Sequence, residues 1–279
     1  MKFDTYYNGK HGTRNSIKIP LTDRAVFFGD GIYDACIGKN RMIFMLKEHV
    51  DRFFSNKEAL NIPLSLTKQE LEETLREMAK NTDGGCFFLY FQLSRFSEKR
   101  VHAYPDEKSS NLLITVDKID EPNPDKLIKL TEFEDIRYEM CNIKTINLLP
   151  AVLASKKAEI CGADESVFHR GDTVTECAHS NIHIIKNGIL FTHPKSNLIL
   201  PGITREHLLL CCKKLNIEFR EEPFTLKQLE EADEVLVTSS SKLCRKAESF
   251  EDIHYDTAKH RMGNALCEMM YEDFVRWCK

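Results

Sequence analysis

The sequence predicts two mixed α/β domains. Three observations lead there. Strand-like and helix-like segments alternate in both halves of the chain. A charged stretch with two prolines, Lys118-Ile119-Asp120-Glu121-Pro122-Asn123-Pro124-Asp125, interrupts that alternation. A length of 279 residues is enough for two domains. The expected division is an N-terminal α/β domain over 1–118, a linker over 119–125 and a C-terminal α/β domain over 126–279, with a site between the domains.

In the first half, Phe3–Tyr7 reads as a short aromatic strand that stops at the Asn8-Gly9 turn. Ile32–Ile37 and Met42–Met45 flank Gly38-Lys39-Asn40 as a hairpin. Leu46, Val50, Phe53, Phe54 and Leu60 follow helical spacing. A second helix opens at Thr67, with Glu70 three residues on as a capping box. Cys86–Leu93 and Leu112–Val116 read as strands. In the second half, Leu149–Ile160 is expected to be helical. Ile182–Ile185 and Ile189–Thr192 form a hairpin around Asn187-Gly188. Thr204–Leu215 is a helix that starts at its threonine, Glu234–Val237 a short strand and Thr257–Trp277 a final helix.

Composition narrows the class. Hydrophobic residues at 42% and charged residues at 29% describe a globular chain with a sizeable core. The net charge of −4 comes without a long basic run, which argues against a nucleic-acid partner. No apolar stretch approaches the roughly 18 residues of a membrane helix, and Met1-Lys2-Phe3-Asp4-Thr5 lacks the pattern of a signal peptide. The expectation is a cytoplasmic protein without membrane contact. Ten scattered cysteines, with no Cys-x-x-Cys pair, read as free thiols, and the ten histidines show no metal-ligand spacing.

The chemistry-bearing residues are concentrated elsewhere. Lys144 lies in a mostly apolar stretch, Ile143-Lys144-Thr145-Ile146-Asn147-Leu148-Leu149. An amine held among apolar groups is a good nucleophile and proton carrier. Glu176 ends Thr173-Val174-Thr175-Glu176, and Ser180-Asn181 follows. Gly202-Ile203-Thr204-Arg205 opens a predicted helix, whose first N–H groups suit an anion. Val237-Thr238-Ser239-Ser240-Ser241 is a hydroxyl-rich turn after a strand. Arg52 follows His49 by three positions and shares its helix face. An amine, a carboxylate and two turns rich in N–H and hydroxyl donors are the set that pyridoxal phosphate needs.

The order and spacing of Phe28-Gly29-Asp30-Gly31-Ile32-Tyr33, Glu48-His49-Val50-Asp51-Arg52, Ile143–Asn147, Thr173–Glu176, Ser180-Asn181, Gly202–Arg205 and Val237–Ser240 resemble the class IV, or fold-type IV, pyridoxal-phosphate enzymes. That group holds D-amino-acid aminotransferases, branched-chain aminotransferases and aminodeoxychorismate lyases. The resemblance runs from about Asp23 to Ser241. It implies a two-domain α/β fold of mixed α+β type with the cofactor at the domain interface, and a homodimer. It implies that Lys144 bonds the cofactor aldehyde and shuttles the substrate proton. Glu176 faces the ring nitrogen, Arg52 clamps the phosphate with Thr204, Ser239 and Ser240, and Leu200 and Ile203 pack against the ring.

The segment Arg95-Phe96-Ser97-Glu98-Lys99-Arg100-Val101-His102-Ala103-Tyr104-Pro105 is similar to the substrate loop of the D-amino-acid aminotransferases. The resemblance assigns Tyr33, Arg100 and His102 to the substrate α-carboxylate, with a cation, an imidazole and a phenol as convergent donors. The implied reaction is transfer of an amino group between a D-amino acid and a 2-oxo acid. The alternatives are an aminodeoxychorismate lyase and a branched-chain L-amino-acid aminotransferase. Phe96 stands where the family usually has glycine, and His179 lies in a run usually made of glycine and serine.

Overall fold

The computed structural model describes residues 2–96, 99–104 and 109–279. The chain falls into two compact units. The first comprises Met1–Glu121 with Ile143–Asn147 and Phe274–Lys279, and the second comprises Pro122–Asn142 with Leu148–Asp273. An uninterrupted 126–279 domain is therefore not what forms: the lysine segment and the C-terminal residues count with the first unit. Local pairing explains both. Residues 31–33 bond the backbone of 144–146, and Trp277 Nε1 donates to the Ile43 carbonyl at 3.0 Å.

The first unit contains β1 (Thr5–Tyr7), β2 (Lys10–Gly12), α1 (Arg24–Phe28), β3 (Gly31–Lys39), β4 (Met42–Ile43), α2 (Leu46–Ala59), α3 (Lys68–Lys80), β5 (Phe87–Arg95) and β6 (Ser110–Lys118). Its sheet has the order β2-β1-β6-β5-β3-β4, and its pairings are antiparallel. One face of β3 and β5 carries Ile32, Cys36, Leu89, Phe91 and Leu93, which pack with Val50, Phe53, Leu71 and Leu75 of α2 and α3. Period-two alternation puts Tyr33, Ala35, Tyr90 and Gln92 on the other face. Helix α3 opens on the expected capping box, with Thr67 and Glu70 exchanging both bonds. The strand expected over Met42–Met45 stops at Ile43, because Met45 adopts φ 51° as the chain turns into α2.

The second unit contains β7 (Ile128–Glu134), α4 (Leu149–Cys161), β8 (Glu165–Arg170), β9 (Thr173–Cys177), β10 (Asn181–Lys186), β11 (Ile189–Thr192), α5 (Ile203–Lys214), β12 (Phe219–Glu221), α6 (Leu226–Glu230), β13 (Glu234–Ser239), β14 (Leu243–Phe250), β15 (Ile253–His254) and α7 (Arg261–Trp277), whose last turn belongs to the first unit. Its mixed sheet runs β12-β11-β10-β13-β14-β7-β8-β9, with β15 on β14. The β10–β11 hairpin turns where expected, with Asn187 and Gly188 both at positive φ. Two expectations fail. Helix α5 begins at Ile203 with Gly202 as its cap, so Thr204 caps nothing. The final helix is broken, with a 3₁₀ turn over Thr257–Lys259 before α7. Glu234 of β13 explains the restart: its carboxylate accepts from Met262 N at 3.1 Å and Gly263 N at 2.6 Å. All ten cysteines are free, and all but Cys141 and Cys161 are buried.

Gly38 ends the tight part of the β3–β4 hairpin. A Cβ there would lie 2.1 Å from the Met42 carbonyl oxygen and 2.3 Å from Phe87 Cζ. Gly38→Ala should destabilise the protein by about 1–3 kcal/mol, the range for overpacking. Urea unfolding checks this, and an unchanged midpoint would show that the hairpin gives way freely.

Candidate active site

The lysine segment lies along β3 through an isolated β-bridge. Tyr33 N donates to the Lys144 carbonyl at 2.9 Å, Ile146 N donates to the Gly31 carbonyl at 3.1 Å, and Ile32 bridges Thr145. Gly31 leaves room on both sides, since a Cβ there would come within 2.7 Å of the Leu93 carbonyl oxygen of β5 and 3.1 Å of Ile146 Cδ1 in the lysine segment. Asn147 then bonds the carbonyl of Gly29 at 3.0 Å. These main-chain bonds place the half-buried Lys144 side chain over Tyr33. Its Nζ donates to the phenol oxygen at 3.2 Å and lies 4.3 Å from the ring centroid. Tyr33 in turn stacks on Tyr90 at 5.4 Å, and the Tyr90 hydroxyl donates to Gln92 at 2.7 Å.

On the opposite face of β3, Asp34 has no solvent exposure. It accepts from Arg52 Nε and Nη2, each at 2.8 Å, and pairs with His49 Nδ1 at 2.8 Å. Burial opposes ionisation of Asp34, but Arg52 and His49 outweigh it and hold the carboxyl well below the usual carboxylate range. Burial also pushes His49 down against the pull of Asp34. The imidazole is then neutral at physiological pH and donates through Nδ1, since the carboxylate can only accept. Arg52 thus has its guanidinium plane set by Asp34, a partner outside the expected site.

Glu176 is held from three sides in the second unit. It accepts from Arg137 Nη1, from Asn181 Nδ2 at 3.0 Å and from Leu200 N at 3.1 Å. Arg137 also bonds Asp135 and lies over the Phe168 ring at 4.4 Å. Desolvation alone would lower the basicity of Arg137, yet Asp135 and Glu176 raise it, so the guanidinium stays charged. Asn181 presses on the Gly202 backbone, where a Cβ would meet its Oδ1 at 2.0 Å. Ile203 and Thr204 are buried in the first turn of α5, which has no side-chain cap. Ser239 and Ser240 lie at the end of β13, and Ser239 Oγ accepts from Lys242 N at 3.3 Å.

The structure therefore brings Lys144 to Tyr33, sets Arg52 on Asp34, and gathers Glu176, Leu200 and Asn181 near the start of α5. Arg100 and His102 lie elsewhere in the first unit, against α1. Arg100 Cζ is 5.3 Å from the Phe28 centroid, and His102 packs on the same ring at 5.4 Å. Phe96 forms an isolated bridge with Asp23. Ser97, Glu98 and Pro105 of this loop lie outside the described residues. His179 is tethered to Glu165 at 3.2 Å, and Lys242 meets the same carboxylate at 3.3 Å. Among the described residues His207, Cys211 and Asp273 gather ligand-type atoms within 4.8 Å. Asp273 there already accepts from Lys214 at 2.8 Å and pairs with His207 at 3.0 Å. Sequence reasoning missed Asp34, Asp135 and Arg137. The one signal available was a charged residue inside an apolar strand, as Asp34 is within Gly31–Lys39.

Comparison with known proteins decides the family. Residues 31–250 match the family described as Amino-transferase class IV. The chain belongs to the class IV aminotransferases. It is 37% identical over 239 residues to a D-alanine aminotransferase of Staphylococcus haemolyticus, covering 85% of each chain. It is 36% identical over 234 residues to a D-alanine aminotransferase of Listeria monocytogenes, covering 82% of this chain and 81% of the relative. The fold is also that of the branched-chain amino acid aminotransferase from Escherichia coli. There the TM-score is 0.90 at 19% identity, with 100% of this chain and 96% of that one covered. The protein is thus an enzyme of the transaminase type with the mixed α/β architecture of that family.

The buried ion pair of this aminotransferase has a pH signature. The Asp34 carboxyl titrates lower when folded than its unfolded value near ~3.9. Its contribution is complete above that value and is lost as pH falls through the folded one. Asp34→Asn strands the Arg52 charge and should cost about 3–5 kcal/mol near neutral pH. The variant should also lose less stability than the parent on acidification below about pH 4. Urea unfolding at a series of pH values checks both, and identical acid slopes would show that another group governs.

Proposed function

We propose that this class IV aminotransferase uses pyridoxal phosphate to move an amino group from a D-amino acid to a 2-oxo acid such as 2-oxoglutarate or pyruvate. The observation that carries the proposal is the Lys144 amine set 3.2 Å from the Tyr33 hydroxyl by main-chain pairing. The donor set suits the cofactor. The start of α5 lacks a side-chain cap, and Gly202 keeps the backbone there clear of a Cβ. N–H groups of that kind suit a phosphate, with Thr204, Ser239 and Ser240 as hydroxyl donors and Arg52 as the cation. Glu176, fixed by Arg137 and Asn181, is the acceptor for a ring N–H, and Leu200 and Ile203 supply apolar cover.

Bound there, the cofactor supplies an aldehyde carbon and an electron-withdrawing ring. Lys144 carries a proton to and from the substrate α-carbon, and the Tyr33 hydroxyl orients its amine. Arg100 and His102 are proposed, with Tyr33, to take the substrate α-carboxylate. The D-alanine aminotransferase relatives and the Arg100-Val101-His102 spacing support the D-amino donor. A homodimer is proposed as well, supported by an apolar row on α4. Leu149 and Ile160 there are 68% and 75% exposed, beside exposed Val152 and Leu153. Free thiols throughout suit a reducing, cytoplasmic setting.

Purified protein should be yellow, and borohydride should fix the cofactor to the peptide containing Lys144. Lys144→Ala should abolish turnover and this label, and a label on another lysine would overturn the assignment. D-alanine should be a better donor than L-leucine. Release of pyruvate and aminobenzoate from aminodeoxychorismate, without transamination, would make the enzyme a lyase. Arg52→Ala should weaken the cofactor by about 1.5–3 kcal/mol, the range for a charge-assisted hydrogen bond. Cofactor affinity within about twofold of the parent would remove Arg52 from the phosphate site.

A further inference from the structure

We propose that Arg24 is the positioning residue of the substrate loop, acting on the reaction through Arg100 and His102. This rests on the reading that those two residues take the substrate carboxylate. Arg24 is buried in α1, immediately after the Asp23 that caps the helix. Its guanidinium divides its donors between an acid and the loop. Nε donates to Asp30 at 2.7 Å, Nη1 to the Val101 carbonyl at 2.6 Å and Nη2 to the His102 carbonyl at 3.1 Å. The two carbonyls flank the backbone of His102 and directly follow Arg100 in the chain.

Other contacts reinforce the same arrangement. Arg24 Cζ lies 4.5 Å from the Phe28 centroid, on the ring that also meets Arg100 and His102. Asp30 is shared with Arg95, whose Nε lies 3.1 Å from it and whose Cζ sits 3.8 Å from the centroid of Tyr104. Arg95 is itself tied to the carbonyls of Leu60 and Asn61 at the end of α2. The exposed Arg100–Tyr104 loop is thus held through its main chain by Arg24 and through the Tyr104 ring by Arg95, two buried arginines on one carboxylate. A planar fork reaches an acid and two carbonyls from three separate nitrogens in fixed directions, a span that the single nitrogen of a lysine does not reproduce.

Arg24→Lys keeps the charge beside Asp30 and gives up the fork. It should raise KM for the amino donor by about tenfold to a hundredfold, the effect expected for loss of a charged substrate contact. Cofactor absorbance and affinity, and the melting temperature, should stay near those of the parent. The triple variant Arg24→Lys/Arg100→Ala/His102→Ala should be no worse than Arg100→Ala/His102→Ala, because Arg24 acts in series with that pair. An unchanged KM in Arg24→Lys, or an effect of Arg24→Lys that persists in full when Arg100 and His102 are both removed, would overturn the proposal. So would a loss of cofactor or of melting temperature that accounts for the lost activity. Arg100→Ala with parental kinetics would instead sink the carboxylate reading beneath it, so the two failures are told apart.

Discussion

A single buried carboxylate organises the first unit. Asp34 sits inside a sheet with no access to water, where an unpaired charge would cost several kcal/mol. It is tolerable only because α2 brings two partners, His49 and Arg52, to it together. The requirement fixes how α2 lies on β3, since neither partner can shift by a turn without stranding the acid. It also fixes the opposite face of the strand. Tyr33 is the adjacent residue, and the lysine segment pairs with its N–H and with the Gly31 carbonyl. The placement of the amine is in this sense inherited from an ion pair beneath the sheet.

The carboxylate of the second unit is held by similar logic with different parts. Glu176 is surrounded by donors from three separate stretches of chain: an arginine, an asparagine and a main-chain N–H. Arg137 divides its fork between Glu176 and Asp135, and so keeps both acids in fixed orientation. Burial presses the Asp135 carboxyl upward, but the arginine outweighs it and leaves the group below its usual range. An acid supported on every side presents a steady acceptor, which is what a preorganised site asks of it.

The parts of the fold and site that were legible in the sequence depend on local spacing. The capping box at Thr67, the Asn187-Gly188 turn and the apolar stripe of α2 each declare themselves within a few residues. Lys144 was legible because a charge stands among apolar neighbours. The supporting residues were not, because their partners are remote: Asp34 is 18 positions from Arg52, and Arg137 is 39 from Glu176. The same holds for the ends of helices. Gly202, not Thr204, caps α5, with Asn181 packed against its backbone, and α7 restarts on a carboxylate supplied by β13. In both helices a local signal is overruled by a contact made at long range.

The alternation along β3 sets what kinds of change this chain can absorb. Tyr33 and Asp34 are adjacent in sequence yet serve opposite sides of the sheet. Exchanging one side chain for another perturbs a single face. Inserting or deleting one residue upstream in the strand would swap the faces, sending the acid toward the lysine and the phenol into the core. Divergence within such a strand is therefore confined to substitution, while the turns and loops around it remain open to changes of length. A lineage could retune its chemistry residue by residue here, but it could not reach a new site by sliding the strand.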